Sequence, residues 1–139
     1  MIIAVDFDGT IVHNRYPEIG GEMPFATQTL KMLIMEGHRL ILWTVRNGHL
    51  LDEAVEWCRK RGVEFYAVNR NHPYEEHDPN GRHSVKLKAD MFIDDRNVGG
   101  MLSWGTIYAL IHDRVTLEEA LRREILGEAS KRKRKWWPF

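Results

Sequence analysis

Two hydrophobic rhythms alternate along this chain. Ile2–Val5 is an unbroken apolar run that ends in acids, the pattern of a strand buried on both faces of a parallel sheet. Residues 11–22 hold Pro17 and Gly20-Gly21 and read as a loop or a small hairpin flap. Helical spacing follows, with Phe25, Leu30, Leu33 and Ile34 on one face and Gly37 as the stop. Arg39–Thr44 predicts a second strand. A second helix is expected from about His49 to Arg61, with Leu51, Val55 and Cys58 inward and Gly62 closing it. Glu64–Val68 predicts a third strand and Met91–Ile93 a short fourth one. The apolar stretch Trp104–Ile111 is expected to pack against the sheet. Thr116 and Glu119 have the spacing of a capping box for a last helix.

Strand and helix in turn, joined by short connections, imply an α/β fold with a doubly wound, Rossmann-like parallel sheet and helices on both faces. Residues 1–130 are expected to form one domain, with 131–139 as a basic and aromatic tail. Residues 69–85 form a polar loop of 17 residues holding Pro73, Pro79 and Gly81, long enough to suggest a functional role. In such sheets ligands bind beyond the carboxyl ends of the strands. Asp6 and Asp8 follow the first strand, Thr44 ends the second, and Asp94-Asp95 follow the fourth. Three strands therefore bring polar groups to one edge.

Carboxylates gathered at one edge repel one another, by about 4 kcal/mol for a pair ~4 Å apart at an effective dielectric near 20. A cation would offset that cost. Hard oxygen ligands favour Mg²⁺, and no histidine or cysteine stands at the matching positions to favour zinc. A metal beside carboxylates suits attack on a phosphoryl group, with one carboxylate as nucleophile and another moving protons.

These residues resemble the haloacid dehalogenase-like (HAD) superfamily of phosphatases. The resemblance rests on the apolar run into Asp6-Phe7-Asp8-Gly9-Thr10, on Leu42-Trp43-Thr44, on Lys86-Leu87-Lys88-Ala89-Asp90, and on Phe92-Ile93-Asp94-Asp95. It implies Asp6 as the nucleophile and a Mg²⁺ ligand. It implies Asp8 as the general acid/base, which also gives the metal its backbone carbonyl. Thr44 and a lysine would hold the phosphate. Lys86 is preferred to Lys88 because it fits a Lys-x-x-Ala-Asp pattern seen in relatives. Asp95 takes the place of the metal-ligating acid, with Asp94 beside it or sharing the role. Only 35 residues separate Asp8 from Thr44 and 41 separate Thr44 from Lys86, so no cap domain is expected. An open site would select substrates through the flap, through Arg46-Asn47 and through the 69–85 loop, with Arg46 either a substrate or phosphate contact or a member of a surface salt bridge.

Composition narrows this picture. The chain has 139 residues and a formal net charge of zero, but five consecutive cations, Lys131–Lys135, leave 15 basic against 20 acidic residues in the first 130, a net −5. An acidic body disfavours nucleic acid as partner and leaves a small phosphorylated metabolite as the expected one. Cys58 is the only cysteine, which suits a reducing cytoplasm and a packing role. No run approaches the roughly 20 apolar residues of a spanning helix. The N-terminus reads as a strand and not as a signal peptide. His13, His72, His77 and His83 lack ligand spacing and are expected to be solvated or to face substrate. The expected activity is a Mg²⁺-dependent phosphomonoesterase working through an aspartyl-phosphate. The alternatives are a non-catalytic phospho-acceptor module, or a phosphatase for nucleic-acid ends or another macromolecule, with the basic tail as the grip.

Overall fold

A computed structural model describes residues 1–76, 80–81 and 84–126. The expectations for His77, His83 and the 131–139 tail lie outside the described residues. The chain divides into two compact units, Met1–Met101 and one that begins at Leu102.

The first unit is built on a four-stranded parallel sheet. Its strands are β1 (Ile2–Val5), β4 (Arg39–Leu42), β5 (Ala67–Val68) and β6 (Met91–Ile93), in the order β5-β4-β1-β6. This is an α/β architecture, compatible with a Rossmann-like fold. The apolar character of Ile2–Val5 has a direct cause: β1 lies between two neighbours, and Ile3, Ala4 and Val5 are all buried. Register is tight at the carboxyl end, where Val5 pairs with Leu42 on one side and Ile93 on the other. The residues that follow each of these three strands are thereby brought level. Strand order also reverses here, since the chain runs outward from β1 to β4 and β5 and then returns to β6 on the far side of β1.

Residues 11–22 form the expected hairpin, β2 (Val12–Arg15) against β3 (Glu18–Glu22), around a cis Tyr16–Pro17 bond. Gly20 permits the close pairing, because a Cβ there would lie 2.9 Å from the His13 carbonyl carbon. Helix α1 (Ala26–Met35) begins one residue later than Phe25, which takes a left-handed conformation (φ 66°) after Pro24 instead of heading the helix face. Glu22 does the capping: its carboxylate accepts from the Thr27 amide at 2.9 Å and from the Thr27 hydroxyl. Helix α2 (Gly48–Lys60) buries Ala54 and Cys58, with Leu51 and Val55 half-buried. Burial pushes the Cys58 thiol up to about 12, so this side chain packs and is no nucleophile.

Strand β5 is shorter than its apolar pattern, two residues in place of five, as befits an edge strand with one neighbour. From β5 the chain returns to β6 without a described helix. Leu87 from this crossover packs with Ala4, Ile41 and Ala67, and Ile2, Trp43, Tyr66 and Ala89 ring the cluster. Asp90 anchors its end: the carboxylate accepts from the Ile2 amide at 2.7 Å while its own amide donates to the Ile2 carbonyl at 2.8 Å.

In the second unit Trp104–His112 forms helix α3, which the apolar pattern did not define because Gly105 and Thr106 are weak helix formers. Ser103 caps it, accepting from the Thr106 amide at 3.2 Å. Helix α4 (Leu117–Ile125) starts where the capping pattern places it, with the Thr116 hydroxyl accepting from the Glu119 amide at 3.2 Å. Among the described residues no helix is long and apolar enough to cross a membrane.

The crossover plug is open to test. Leu87→Ala removes a buried side chain from this cluster and is expected to cost about 2–4 kcal/mol in urea unfolding.

Candidate functional site

The chain leaves β1 through a tightly wound loop. The Phe7 carbonyl accepts from the amides of Thr10 (3.1 Å), Ile11 (2.9 Å) and Val12 (3.3 Å), and Gly9 donates back to the Val12 carbonyl at 2.7 Å. Phe7 is fully buried, edge-on to Trp57 at 5.7 Å between ring centres. This anchoring sends the two acids that flank Phe7 to different partners.

Asp6 turns toward β6. Asp6, Asp94 and Asp95 each offer a carboxylate oxygen, and these oxygens all lie within 4.8 Å of one another. Gly9 makes the approach possible, since its φ of +87° is left-handed and a Cβ there would come within 2.8 Å of the Asp95 carboxyl carbon. Thr10 holds the arrangement from below. Its fully buried hydroxyl lies 3.0 Å from Asp6 Oδ2 and 3.2 Å from Asp95 Oδ1, and accepts from the Asp95 amide at 3.0 Å. No role for Thr10 was read from the sequence. The signal available was its place directly after Gly9, in a loop that must fold back on the acids.

Among the described residues no lysine, arginine or histidine forms an ion pair with these three acids. Asp6 bears the consequence. Burial first, then the charge of Asp94 and a hydrogen bond with Asp95, push its carboxyl from the ordinary 3.8 up to about 7. Three hard oxygen donors, with no sulfur or imidazole among them and no local cation, fit a divalent ion such as Mg²⁺.

Asp8 turns the other way, and its carboxylate is not in this group. Both of its oxygens face Arg46, Oδ2 at 2.7 Å from Nε and Oδ1 at 2.7 Å from Nη2. Of the four expected metal ligands, the fold thus brings the side chains of Asp6, Asp94 and Asp95 together, while the Asp8 side chain has another partner.

Arg46 departs from its expected place at the substrate. Its side chain is fully buried, and besides Asp8 it donates to the carbonyls of Pro17 (3.1 Å), Leu50 (3.3 Å) and Glu18 (2.9 Å). Its carbon centre also lies over the rings of Phe7 and Tyr16, at 5.2 and 5.3 Å. Every hydrogen-bonding nitrogen is turned inward, so Arg46 ties the site loop, the hairpin turn and the start of α2 together. A sequence shows an arginine beside Thr44; only the fold supplies the two hairpin carbonyls and the α2 carbonyl that enclose it.

Thr44 is half-buried just past β4. Its amide donates to Asn69 Oδ1 at 2.8 Å and its hydroxyl accepts from the Arg46 amide at 3.2 Å. Lys86 and Lys88 are both exposed. The Lys86 ammonium lies 5.9 Å from the centre of the Phe92 ring, and the Lys88 amide donates to Asn71 Oδ1 at 2.7 Å. Neither lysine is brought into contact with the acids here.

Two outcomes follow from these contacts. Arg46→Met strands the Asp8 carboxylate and three carbonyls, and is expected to destabilise the fold by about 3–5 kcal/mol in chemical denaturation. For Asp6 the sign is the reverse of an ordinary ion-paired acid. Its folded carboxyl holds a proton up to about pH 7 whereas the unfolded one releases it near 3.8, so folding stability falls as pH rises between these values. Melting curves in EDTA should therefore show Asp6→Asn gaining on the wild type from pH 4 to 7 and keeping that advantage above it. Adding Mg²⁺ at pH 7.5 should raise the wild-type midpoint and leave the variant's nearly unmoved.

No protein-family model and no curated protein matches this sequence. A solved structure does: the conserved protein coded by a locus of Bacteroides thetaiotaomicron, 61% identical, over 85% of this chain and 94% of that one, with a TM-score of 0.77. Its description carries no activity. At that identity and coverage, the chain belongs to the same family as this conserved Bacteroides protein.

Proposed function

We propose that the protein is a small Mg²⁺-dependent phosphohydrolase, a HAD-like phosphomonoesterase acting on phosphorylated metabolites in the cytoplasm. Its doubly wound sheet carries no cap, so the site is open. One observation supports this reading above the others: the carboxylates of Asp6, Asp94 and Asp95 converge where β1 and β6 end, at the point where strand order reverses.

In this reading the three acids hold the cation, and Asp8 adds its backbone carbonyl. A bound ion would supply positive charge to offset that of the phosphate and would favour the ionised form of Asp6 at neutral pH. Asp6 then attacks phosphorus through a carboxylate oxygen, the bond from phosphorus to the leaving oxygen breaks, and an aspartyl-phosphate forms. Asp8 gives a proton to the leaving oxygen and afterwards takes one from the water that attacks phosphorus, releasing inorganic phosphate and restoring Asp6. Because Arg46 occupies both Asp8 oxygens, proton delivery requires the carboxyl group to turn one of them from that fork. Thr44 donates its hydroxyl to the phosphate, and Lys86 or Lys88 swings in to neutralise the remaining charge. Both lysines are exposed side chains with the reach and freedom for this.

A phospho-acceptor module on a similar sheet would place its accepting acid after the third parallel strand along the chain, here β5. Asn69 stands there, so the enzyme reading is preferred.

The direct test is turnover of p-nitrophenyl phosphate. The wild type is expected to hydrolyse it with Mg²⁺ and to stop in EDTA, and Asp6→Asn to lose about a thousandfold or more. Equal rates for the two proteins would remove Asp6 from the chemistry.

A further inference from the structure

We propose that Asn69 is a positioning residue for Thr44, its side-chain carbonyl holding the Thr44 amide so that the threonine hydroxyl points its hydrogen at the bound phosphate. The inference rests on the phosphate-holding role of Thr44 given above.

Asn69 is the first residue after β5, and it is half-buried. Its φ of 54° lies in the left-handed region, where asparagine is enriched several-fold over other non-glycine residues. From this one residue two bonds reach the extension of β4. The Asn69 amide donates to the Leu42 carbonyl at 2.8 Å, and its Oδ1 accepts from the Thr44 amide at 2.8 Å. Trp43 lies between these two points. The backbone ladder between β5 and β4 thus ends in a left-handed turn, and a side chain carries it one rung further, to the residue the site requires.

What this does for Thr44 follows from its remaining contacts. The Thr44 hydroxyl oxygen accepts from the Arg46 amide, and its hydrogen has no acceptor among the described residues. With the amide fixed by Asn69 and one lone pair fixed by Arg46, the hydroxyl hydrogen is the free donor of the residue. An acceptor arriving from solvent finds it pre-oriented, which lowers the cost of binding.

Asn69 is itself held. Two residues on, Asn71 Oδ1 accepts from the Lys88 amide at 2.7 Å, and the Asn71 amide and Nδ2 donate to Glu75 at 2.5 and 3.1 Å. The start of this loop therefore grips both the Thr44 segment and the segment that carries the two lysines.

The alternative is that asparagine serves only the left-handed turn. Asn69→Gly separates the two, because glycine takes this φ freely and removes only the acceptor. Circular dichroism melts would check folding. KM for p-nitrophenyl phosphate and the inhibition constant for inorganic phosphate would be measured for the wild type, Asn69→Gly, Thr44→Val and the double variant, all with Mg²⁺. Loss of one hydrogen bond predicts about a fivefold rise in both constants for Asn69→Gly. The Mg²⁺-induced rise in melting temperature should stay at the wild-type value, since the acids are untouched. On the Thr44→Val background the same substitution should add nothing, an interaction that a purely structural role would not produce. Unchanged constants in Asn69→Gly, or losses that add to those of Thr44→Val, would overturn the inference while leaving the phosphatase reading intact. A wild type that neither turns over substrate nor binds phosphate would overturn both.

Discussion

Three carboxylates share a space less than 5 Å across at the end of the central strand, and much of the local structure serves to keep them there. Like charges at such distances separate unless the backbone forbids it. Here it does. Pairing of Val5 with Ile93 brings Asp6 level with Asp94, Gly9 leaves room for Asp95, and the buried Thr10 hydroxyl bonds to both sides of the group. The cost of holding the acids together appears in Asp6, whose carboxyl keeps its proton to about pH 7. A divalent cation among these oxygens would offset that cost.

The fourth acid, Asp8, is treated differently. A buried guanidinium takes both its oxygens and uses its remaining N–H donors on the hairpin turn and on α2. Such a pair adds little net stability compared with apolar packing, yet removing one member is costly. Its effect is geometric: three chain segments distant in sequence meet at one planar group with five fixed donor directions. The two acids of the Asp6-Phe7-Asp8 motif thus have separate surroundings, one crowded by acids and one held by a cation. Environments that differ in this way suit different roles in one reaction.

The crossover from β5 to β6 carries the remaining groups. Among its described residues Leu87 is a buried apolar plug, and polar side chains accept from backbone amides: Asn69 from Thr44, Asn71 from Lys88, Asp90 from Ile2. A helix would have satisfied its own backbone and buried a face. The described part of this segment relies instead on asparagine and aspartate side chains.

Much of the architecture was legible in the sequence because its determinants are local. The apolar run into Asp6 reads as a buried strand since a parallel sheet demands apolar residues on both faces, and Thr116 announces a cap through a contact three residues away. The meeting of Asp6 with Asp94 and Asp95 was foreseeable in outline, because each follows a strand and parallel strands end together. What local pattern does not contain is direction. Nothing in Asp6-Phe7-Asp8 says that the acids part company, that Arg46 faces inward, or that Asn69 bonds to Thr44. These contacts join residues 25 to 38 positions apart, or 85 in the case of Thr10 and Asp95, and exist only once strand order and the hairpin have brought them together. Chain periodicity determined which residues reach the carboxyl edge. Tertiary structure alone decided which of them touch, because a side chain's partner depends on segments the local sequence does not hold.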